Sequence, residues 1–242
     1  DFVKTFDISY QGRNNALETP FQTSWGVSTR LIGALIMVHG DDNGLVLPPH
    51  VAPTQVVIVP IRQGDPGVLD AARNARDVIA MEGIRVKLDD DPSRTPGWKF
   101  SEYEMKGVPL RIEIGPRDLE SGEAVLVKRV NGEKRKASLA ELEREIPSIL
   151  DEIHEDMYKK AKAYLEAHIH MANDIETLKE KLSLGGFVKM PYCEDESCEL
   201  KIKEITEGAT CRALSDEHPH EDDVCPICGK KASALAYFAK AY

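Results

Sequence analysis

No part of this chain approaches the ~20 consecutive apolar residues that a membrane span requires. The longest such run, residues 31–38, is far shorter. A basic stretch followed by an apolar one, the mark of a secretory leader, is also missing, so a cytoplasmic protein without a membrane partner is expected. There are no internal repeats and no low-complexity tracts. Positive charge is in deficit: 31 Lys and Arg against 41 Asp and Glu leave a net charge of −10. A net acid does not gather polyanions by bulk attraction, so any nucleic-acid contact must rest on a local basic surface. Cysteine is absent before position 193.

What is present is an ordinary globular composition, 42% hydrophobic and 30% charged over 242 residues, enough for one to three domains. Residues 1–52 open without a start signal; Phe2, Phe6, Ile8 and Tyr10 read as strand-like, as in the tail of a larger domain. From residue 53 the pattern alternates. Residues 55–61 form a short β-branched run. Residues 66–81 repeat Val68, Leu69, Ala72, Ala75, Ile79 and Ala80 on one helical face, with Gly83 just beyond. Strands are expected at 84–88, 108–114 and 124–130, a short helix at 98–106, and a turn at Asn131-Gly132. Such alternation predicts an α/β layer with a mostly parallel or mixed sheet. Ser138 with Glu141 reads as a capping box that starts a helix, which Pro147 breaks. A long helical stretch then runs to about Leu184, where Gly185-Gly186 ends it.

Basic residues gather at Arg111, Arg117, Lys128, Arg129, Lys134, Arg135 and Lys136, and acidic ones at 89–91, 194–196 and 216–223. The cysteines follow Cys193-x4-Cys198 and Cys225-x2-Cys228, with Cys211 between. Two pairs closed by short loops can supply a tetrahedral thiolate set for zinc. Four thiolates leave no open coordination position, so the metal would be structural. Reduced core cysteines are the alternative, which the polar surroundings of Cys225 and Cys228 weaken. Cys211 reads as a buried free thiol, and His218 and His220 as solvated.

The segment 23–49, TSWGVSTRLIGALIMVHGDDNGLVLPP, joins a small-residue run to one arginine, an apolar helical stretch and an Asp-Asp-Asn-Gly turn. A guanidinium fixed there suits a polyphosphate and a purine face, being always charged, planar and able to stack. Taken alone, Arg30 reads more readily as a solvated residue at an ordinary strand–helix junction; the full string with its flanks favours the ligand reading.

This segment resembles the third signature motif of class II aminoacyl-tRNA synthetases in its prolyl-tRNA synthetase form. Residues 98–118, with Trp98-Lys99-Phe100, Glu102, Glu104, Lys106-Gly107-Val108-Pro109, Arg111 and Gly115-Pro116-Arg117-Asp118, are similar to that family's anticodon-binding domain. The cysteine pairs match its zinc domain, and Tyr237-Phe238-Ala239-Lys240-Ala241-Tyr242 its C-terminus. The likeness runs along the whole chain and is nearest the archaeal and eukaryotic type. It departs in lacking motifs 1 and 2, in having His50 after the Pro-Pro pair, and in Cys211.

The resemblance implies three units: residues 1–52 as the end of an antiparallel-sheet catalytic domain, 53–147 as an α/β anticodon-binding domain with a mixed sheet, and 148–242 as a linking helix and a small α+β zinc domain. It implies a proline–tRNA ligase acting on ATP with Mg, proline and tRNA(Pro), in a full-length homodimer. Without motifs 1 and 2 this chain alone is expected to be inactive. Arg30 would be catalytic and pack on the adenine, Ser28 would contact the nucleotide, and Trp25 and Gly26 would shape the amino-acid site, unless they are a core aromatic and a turn glycine. Glu104, Arg111 and Arg117 would read the two guanines of the proline anticodon, unless they form a salt-bridged sheet face. Residues 128–136 would hold phosphates or stand as a solvated hairpin. Cys193, Cys198, Cys225 and Cys228 would bind zinc, and the Tyr242 carboxylate would turn toward the active site. The rival reading is a non-catalytic, zinc-stabilised tRNA-binding or adaptor module, or an accessory subunit of a larger synthetase complex.

Overall fold

The computed structural model describes residues 2–241. The chain begins with α1 (Phe2–Thr5), the two-residue strands β1 (Tyr10–Gln11) and β2 (Leu17–Glu18), and α2 (Arg30–His39). Phe2 is helical and stacks on Phe6 at 6.3 Å, so the strand expected there is not formed. The reason is the lack of a partner: among the described residues only the Tyr10↔Glu18 and Gln11↔Leu17 pairs link strands in this region, and a lone extended segment leaves its backbone groups unbonded. No residue of α2 is buried, although the helix is apolar all round. Val46 and Ala52, further on, are buried.

A five-stranded sheet follows. It is built from β3 (Val56–Pro60), α3 (Val68–Met81), β4 (Val86–Leu88), α4 (Pro96–Met105), β5 (Leu110–Ile114), α5 (Pro116–Ser121), β6 (Glu123–Lys128) and β7 (Lys134–Ser138), in the order β4-β3-β5-β6-β7. β3 runs parallel to β4 and β5, while β6 and β7 are antiparallel additions, so the sheet is mixed as expected. β3 is buried on both faces and reads as an unbroken apolar run, whereas β5 alternates. Leu110, Ile112 and Ile114 face a core shared with Ala72, Ala75 and Ile79 of α3; Val68 is also buried, while Ala80, expected on the same face, is exposed.

The helix after the sheet differs most from expectation. Ser138 ends β7, and its hydroxyl accepts from the Ala140 N–H. α6 (Leu142–Ala167) starts four residues later and runs through Pro147. Proline there removes one bond to the carbonyl four residues back. Ile146, Ile149, Leu150, Ile153 and Met157, packed into the sheet's core, hold the helix together regardless. The helix then gives way at His168 to β8 (Ile169–Met171) instead of continuing to 184.

The last part consists of α7 (Ile175–Ser183), β9 (Phe187–Tyr192), α8 (Glu196–Ile205), β10 (Ala209–Leu214) and β11 (Ala234–Lys240). Its sheet has the order β10-β11-β9-β8, with β8 parallel to β9 and the rest antiparallel. Gly185 and Gly186 end α7, both at φ +80°. A Cβ on Gly186 would run into the His168 carbonyl, so that position must stay bare. No helix among the described residues is long and apolar enough to cross a membrane.

Candidate functional site

A cleft of about 460 Å³ opens on the face of the five-stranded sheet that α4 partly covers; its lining includes Tyr103, Glu104, Arg111, Val127, Arg129 and Lys134. The register explains the grouping: Arg111 lies opposite Val127, and Val127 opposite Lys134, so the three share one face. α4 begins at Thr95, whose hydroxyl accepts from the Trp98 N–H, with Pro96 in the first turn where a missing N–H costs nothing. The helix is pinned from beneath. Lys99, 2% exposed, bonds Asp89 Oδ1 at 3.0 Å and the Asp89 carbonyl at 2.8 Å, and the Tyr103 hydroxyl donates to Asp89 Oδ2 at 2.9 Å. Burial works against the charge on Asp89, but the Lys99 and Tyr103 contacts outweigh it and hold the carboxyl below its usual range. Burial and the bond to Asp89 push the Tyr103 hydroxyl well above its usual pKa, so it stays a donor.

On this support sit groups suited to unstacked bases. The Arg111 guanidinium lies over the Phe100 ring, 4.1 Å from its centroid, and its Nε donates to Glu113 at 3.0 Å. Its terminal nitrogens show no hydrogen bond among the described residues. The Glu104 carboxylate makes no ion pair among the described residues, and neither does Lys134. Arg117, in the first turn of α5 beyond the other end of β5, is exposed and also unpaired, but lies outside the cleft. The structure therefore brings Glu104 and Arg111 together and leaves Arg117 apart.

The basic segment is largely neutralised from within. Lys128, 3% exposed, bonds Glu133 at 2.8 Å and Glu152 at 2.6 Å. Arg135 reaches Glu152 at 3.5 Å, and Lys136 bonds Glu123 at 2.6 Å. Arg129 forks onto Asp41. Among the described residues, Lys134 is the one basic side chain of 128–136 without an ion pair. The sequence showed the positive charges; apart from Glu133, five residues from Lys128, their carboxylate partners lie 13 to 88 positions away.

In the segment 23–30, Trp25 is 91% exposed in this chain. A Cβ on Gly26 would meet nothing within 4 Å. The Ser28 hydroxyl accepts from the Arg30 N–H at 3.4 Å, and Arg30, exposed, starts α2. Asp41 follows α2, and the Arg129 fork holds its carboxyl down at about 2. Sequence reasoning missed this pair, although the Asp-Asp-Asn-Gly turn was visible; nothing local to either residue points to the other. His50 packs edge-on against His154 at 4.2 Å, while Arg85 ties down the carbonyls of Pro49, His50 and Ala52.

The four cysteines converge. The sulfurs of Cys193, Cys198, Cys225 and Cys228 all lie within 4.8 Å of one another, with Cys193 and Cys228 3.7 Å apart. A tetrahedral site with Zn–S near 2.3 Å has edges of about 3.8 Å, so the set fits. Each pair is shaped by its own turn. Asp195 caps α8 and aims Cys198 inward, its side chain accepting from the Ser197 N–H. Gly229, at φ +70°, donates to the Cys225 carbonyl and closes the 225–228 knuckle. Lys230 reaches Asp195 at 3.5 Å and ties the two turns together. Burial pushes the Cys198 thiol up to about 12, while the Lys230 N–H draws Cys228 down to about 7. Cys211 stands apart from the group and is half-buried, not fully buried as expected; its N–H donates to Glu199. Tyr242 lies outside the described residues.

Comparison with known proteins covers both sheets. Residues 55–149 match the family model for the anticodon binding domain, and residues 175–242 the model for the prolyl-tRNA synthetase C-terminal region. The Proline–tRNA ligase of Acetoanaerobium sticklandii is 49% identical over 242 residues, and that of Clostridium botulinum (strain Loch Maree / Type A3) 48% over 243. Each covers all of this chain, which spans about half the length of these relatives. The crystal structure of prolyl-tRNA synthetase from Cryptosporidium parvum complexed with L-proline and AMP superposes with a TM-score of 0.89 at 36% identity, covering 100% of this chain and 52% of its own. With relatives matching from end to end, the same fold, and both family regions in order, the chain is similar along its whole length to about half of a prolyl-tRNA synthetase.

Proposed function

We propose that this chain is part of a proline–tRNA ligase, which activates proline with ATP and Mg to prolyl-adenylate and transfers the prolyl group to tRNA(Pro). The observation that carries the reading is the match along the whole chain to proteins of that name, at 49% identity. Residues 1–52 would close the class II catalytic domain, 53–147 would bind the anticodon, and 148–242 would form the linking helix and zinc domain. Arg30 would stack on the adenine and meet the γ-phosphate, with Ser28 beside the nucleotide and Trp25 and Gly26 at the amino-acid site. Their exposure accords with a surface completed by other parts of the full-length protein. That protein would be cytoplasmic and a homodimer.

In the cleft, Glu104 would accept from the Watson–Crick edge of guanine, and the free nitrogens of Arg111 would donate to O6 and N7 while its plane rests on Phe100. Arg117 would act on a neighbouring part of the anticodon loop, and Lys134 on a phosphate. Cys193, Cys198, Cys225 and Cys228 would hold a structural zinc, which would crosslink two turns and take no part in the chemistry.

The test uses the full-length ligase. Arg30→Ala is expected to slow proline-dependent pyrophosphate exchange by ~10²–10³, the usual cost of losing a transition-state charge contact. Binding of this chain to tRNA(Pro) should weaken when the two anticodon guanines become adenines, by ~1–3 kcal/mol for each good bidentate contact. Unchanged exchange would remove the role of Arg30, and equal tRNA affinities would leave a non-catalytic tRNA-binding or adaptor module as the better description.

A further inference from the structure

One guanidinium joins two places that the proposed function assigns to different steps. Arg129 Nη1 and Nη2 bond the two oxygens of Asp41 at 2.8 and 2.6 Å, and its Nε donates to the Glu104 carbonyl at 2.9 Å. Its side chain is only 6% exposed. Asp41 opens the turn directly after the Arg30 helix, and its second role is to accept from the Asn43 N–H at 2.9 Å. Glu104 bears the unpaired carboxylate of the cleft. The Arg129 N–H also donates to the Pro109 carbonyl at 2.9 Å, at the entry to the strand that carries Arg111.

The backbone beside this fork is equally tight. Leu45 N–H donates to the Met105 carbonyl at 3.0 Å, and Leu47 N–H to the Gly107 carbonyl at 3.3 Å. A Cβ on Gly44 would lie 2.5 Å from the Met105 oxygen, and one on Gly107 would lie 2.6 Å from the Leu45 oxygen. Chains in such contact cannot move separately. A bidentate fork adds fixed planes at both ends, which a single ammonium would not.

We infer that Arg129, through Asp41, is a positioning residue that couples base reading in the cleft to the placement of the Arg30 helix. The inference rests on the proposed function and specifies how that function would be regulated: a guanine engaged by Glu104 moves or stiffens the end of α4, and the fork passes the change to the turn after α2. A plain brace would predict something different, a loss of stability that takes no account of which tRNA is bound. Coupling between sites is a difference that paired variants measure directly, and it commonly amounts to about 5- to 150-fold.

The experiment measures aminoacylation by the full-length ligase on tRNA(Pro) and on the same tRNA with both anticodon guanines changed to adenine. The unaltered enzyme should lose kcat and gain KM on the changed tRNA. In Asp41→Asn the difference in kcat between the two tRNAs should shrink at least about fivefold, while the difference in KM stays. Arg129→Lys, which keeps the charge but loses the planar fork onto Asp41 and the Glu104 carbonyl, should do the same even if Asp41→Asn proves unstable. Asp41→Glu, which keeps the carboxylate, should restore most of the difference. An equal fall in kcat on both tRNAs, or an unchanged ratio, overturns the coupling. If the unaltered enzyme treats the two tRNAs alike, the anticodon reading itself fails, a result visible before any variant is made, and the coupling falls with it.

Discussion

The two sheets of this molecule solve the same problem by different means. The five-stranded sheet is covered on one face by α3 and α6 over a large aliphatic core, with Ile58, Ile79, Leu110, Ile112, Leu126 and Ile149 all fully buried. Its other face is covered in part by α4, over Val57, Val59 and Val108, and leaves Glu104 and Lys134, unpaired among the described residues, beside the cleft. The four-stranded sheet has a smaller core, in which Cys198 and Cys225 are themselves buried members. It closes its second face with its own chain: Lys189, 5% exposed, bonds Glu217 of the acidic loop at 2.6 Å. Where apolar area suffices, part of a face can stay uncovered; where the core is smaller, converging thiols lie within it.

The sharpest way to break this contrast is at the thiols. Cys225→Ser should abolish metal binding and unfold the C-terminal sheet while leaving the first sheet's transition in place. Structural zinc contributes ~10–16 kcal/mol in small zinc-binding peptides, so this is the largest effect expected. Elemental analysis and thermal denaturation with and without chelator check it, and a chelator-treated protein that melts unchanged would erase the distinction. Next comes the aliphatic side. Ile112→Ala should destabilise the first sheet by about 2–5 kcal/mol, as buried large-to-small changes do, with metal content unaffected. Denaturant titration measures that loss.

The open and closed faces can be told apart with salt. Lys134→Ala should lower the log–log salt slope of tRNA binding by about 0.7–0.9, one phosphate contact's share, whereas Lys189→Ala should leave the slope alone. Equal slopes in the two variants would mean that Lys134 is no freer than the paired Lys189. The smallest expected effect is that of Asp41. Its folded pKa, about 2, lies below the unfolded carboxyl value of about 3.9. The stabilisation is therefore complete above about pH 4 and lost as pH falls toward 2. With the Asp41 side chain 43% exposed, solvent screening keeps it to about 1 kcal/mol or less. Acid titration of stability should show that share in the native protein and not in Asp41→Asn.

Much of this could be read residue by residue. The α3 face was written in its 3.6-residue period, β3 in its unbroken apolar run, the hairpin in Asn131-Gly132, and the thiol cluster in the spacing of its cysteines. Each of these signals is local, set by backbone geometry or by a loop too short to aim its side chains elsewhere. The family likeness was legible for the same reason, because its motifs are contiguous strings.

What escaped a linear reading depends on contacts between distant positions. Pro147 reads as a helix stop, but burial of Ile146, Ile149 and Ile153 against the sheet outweighs one missing hydrogen bond. Phe2 and Phe6 alternate like a strand, yet no partner strand is there among the described residues to complete it. The seven basic residues between 111 and 136 read as a charged surface, but Glu152 lies 24 positions beyond Lys128 and Asp41 lies 88 positions before Arg129. Composition and period suffice for elements whose stabilising contacts lie within a few residues. Which charges remain free, and which helix survives its proline, follow from packing, because the groups that decide them meet only once the chain has folded.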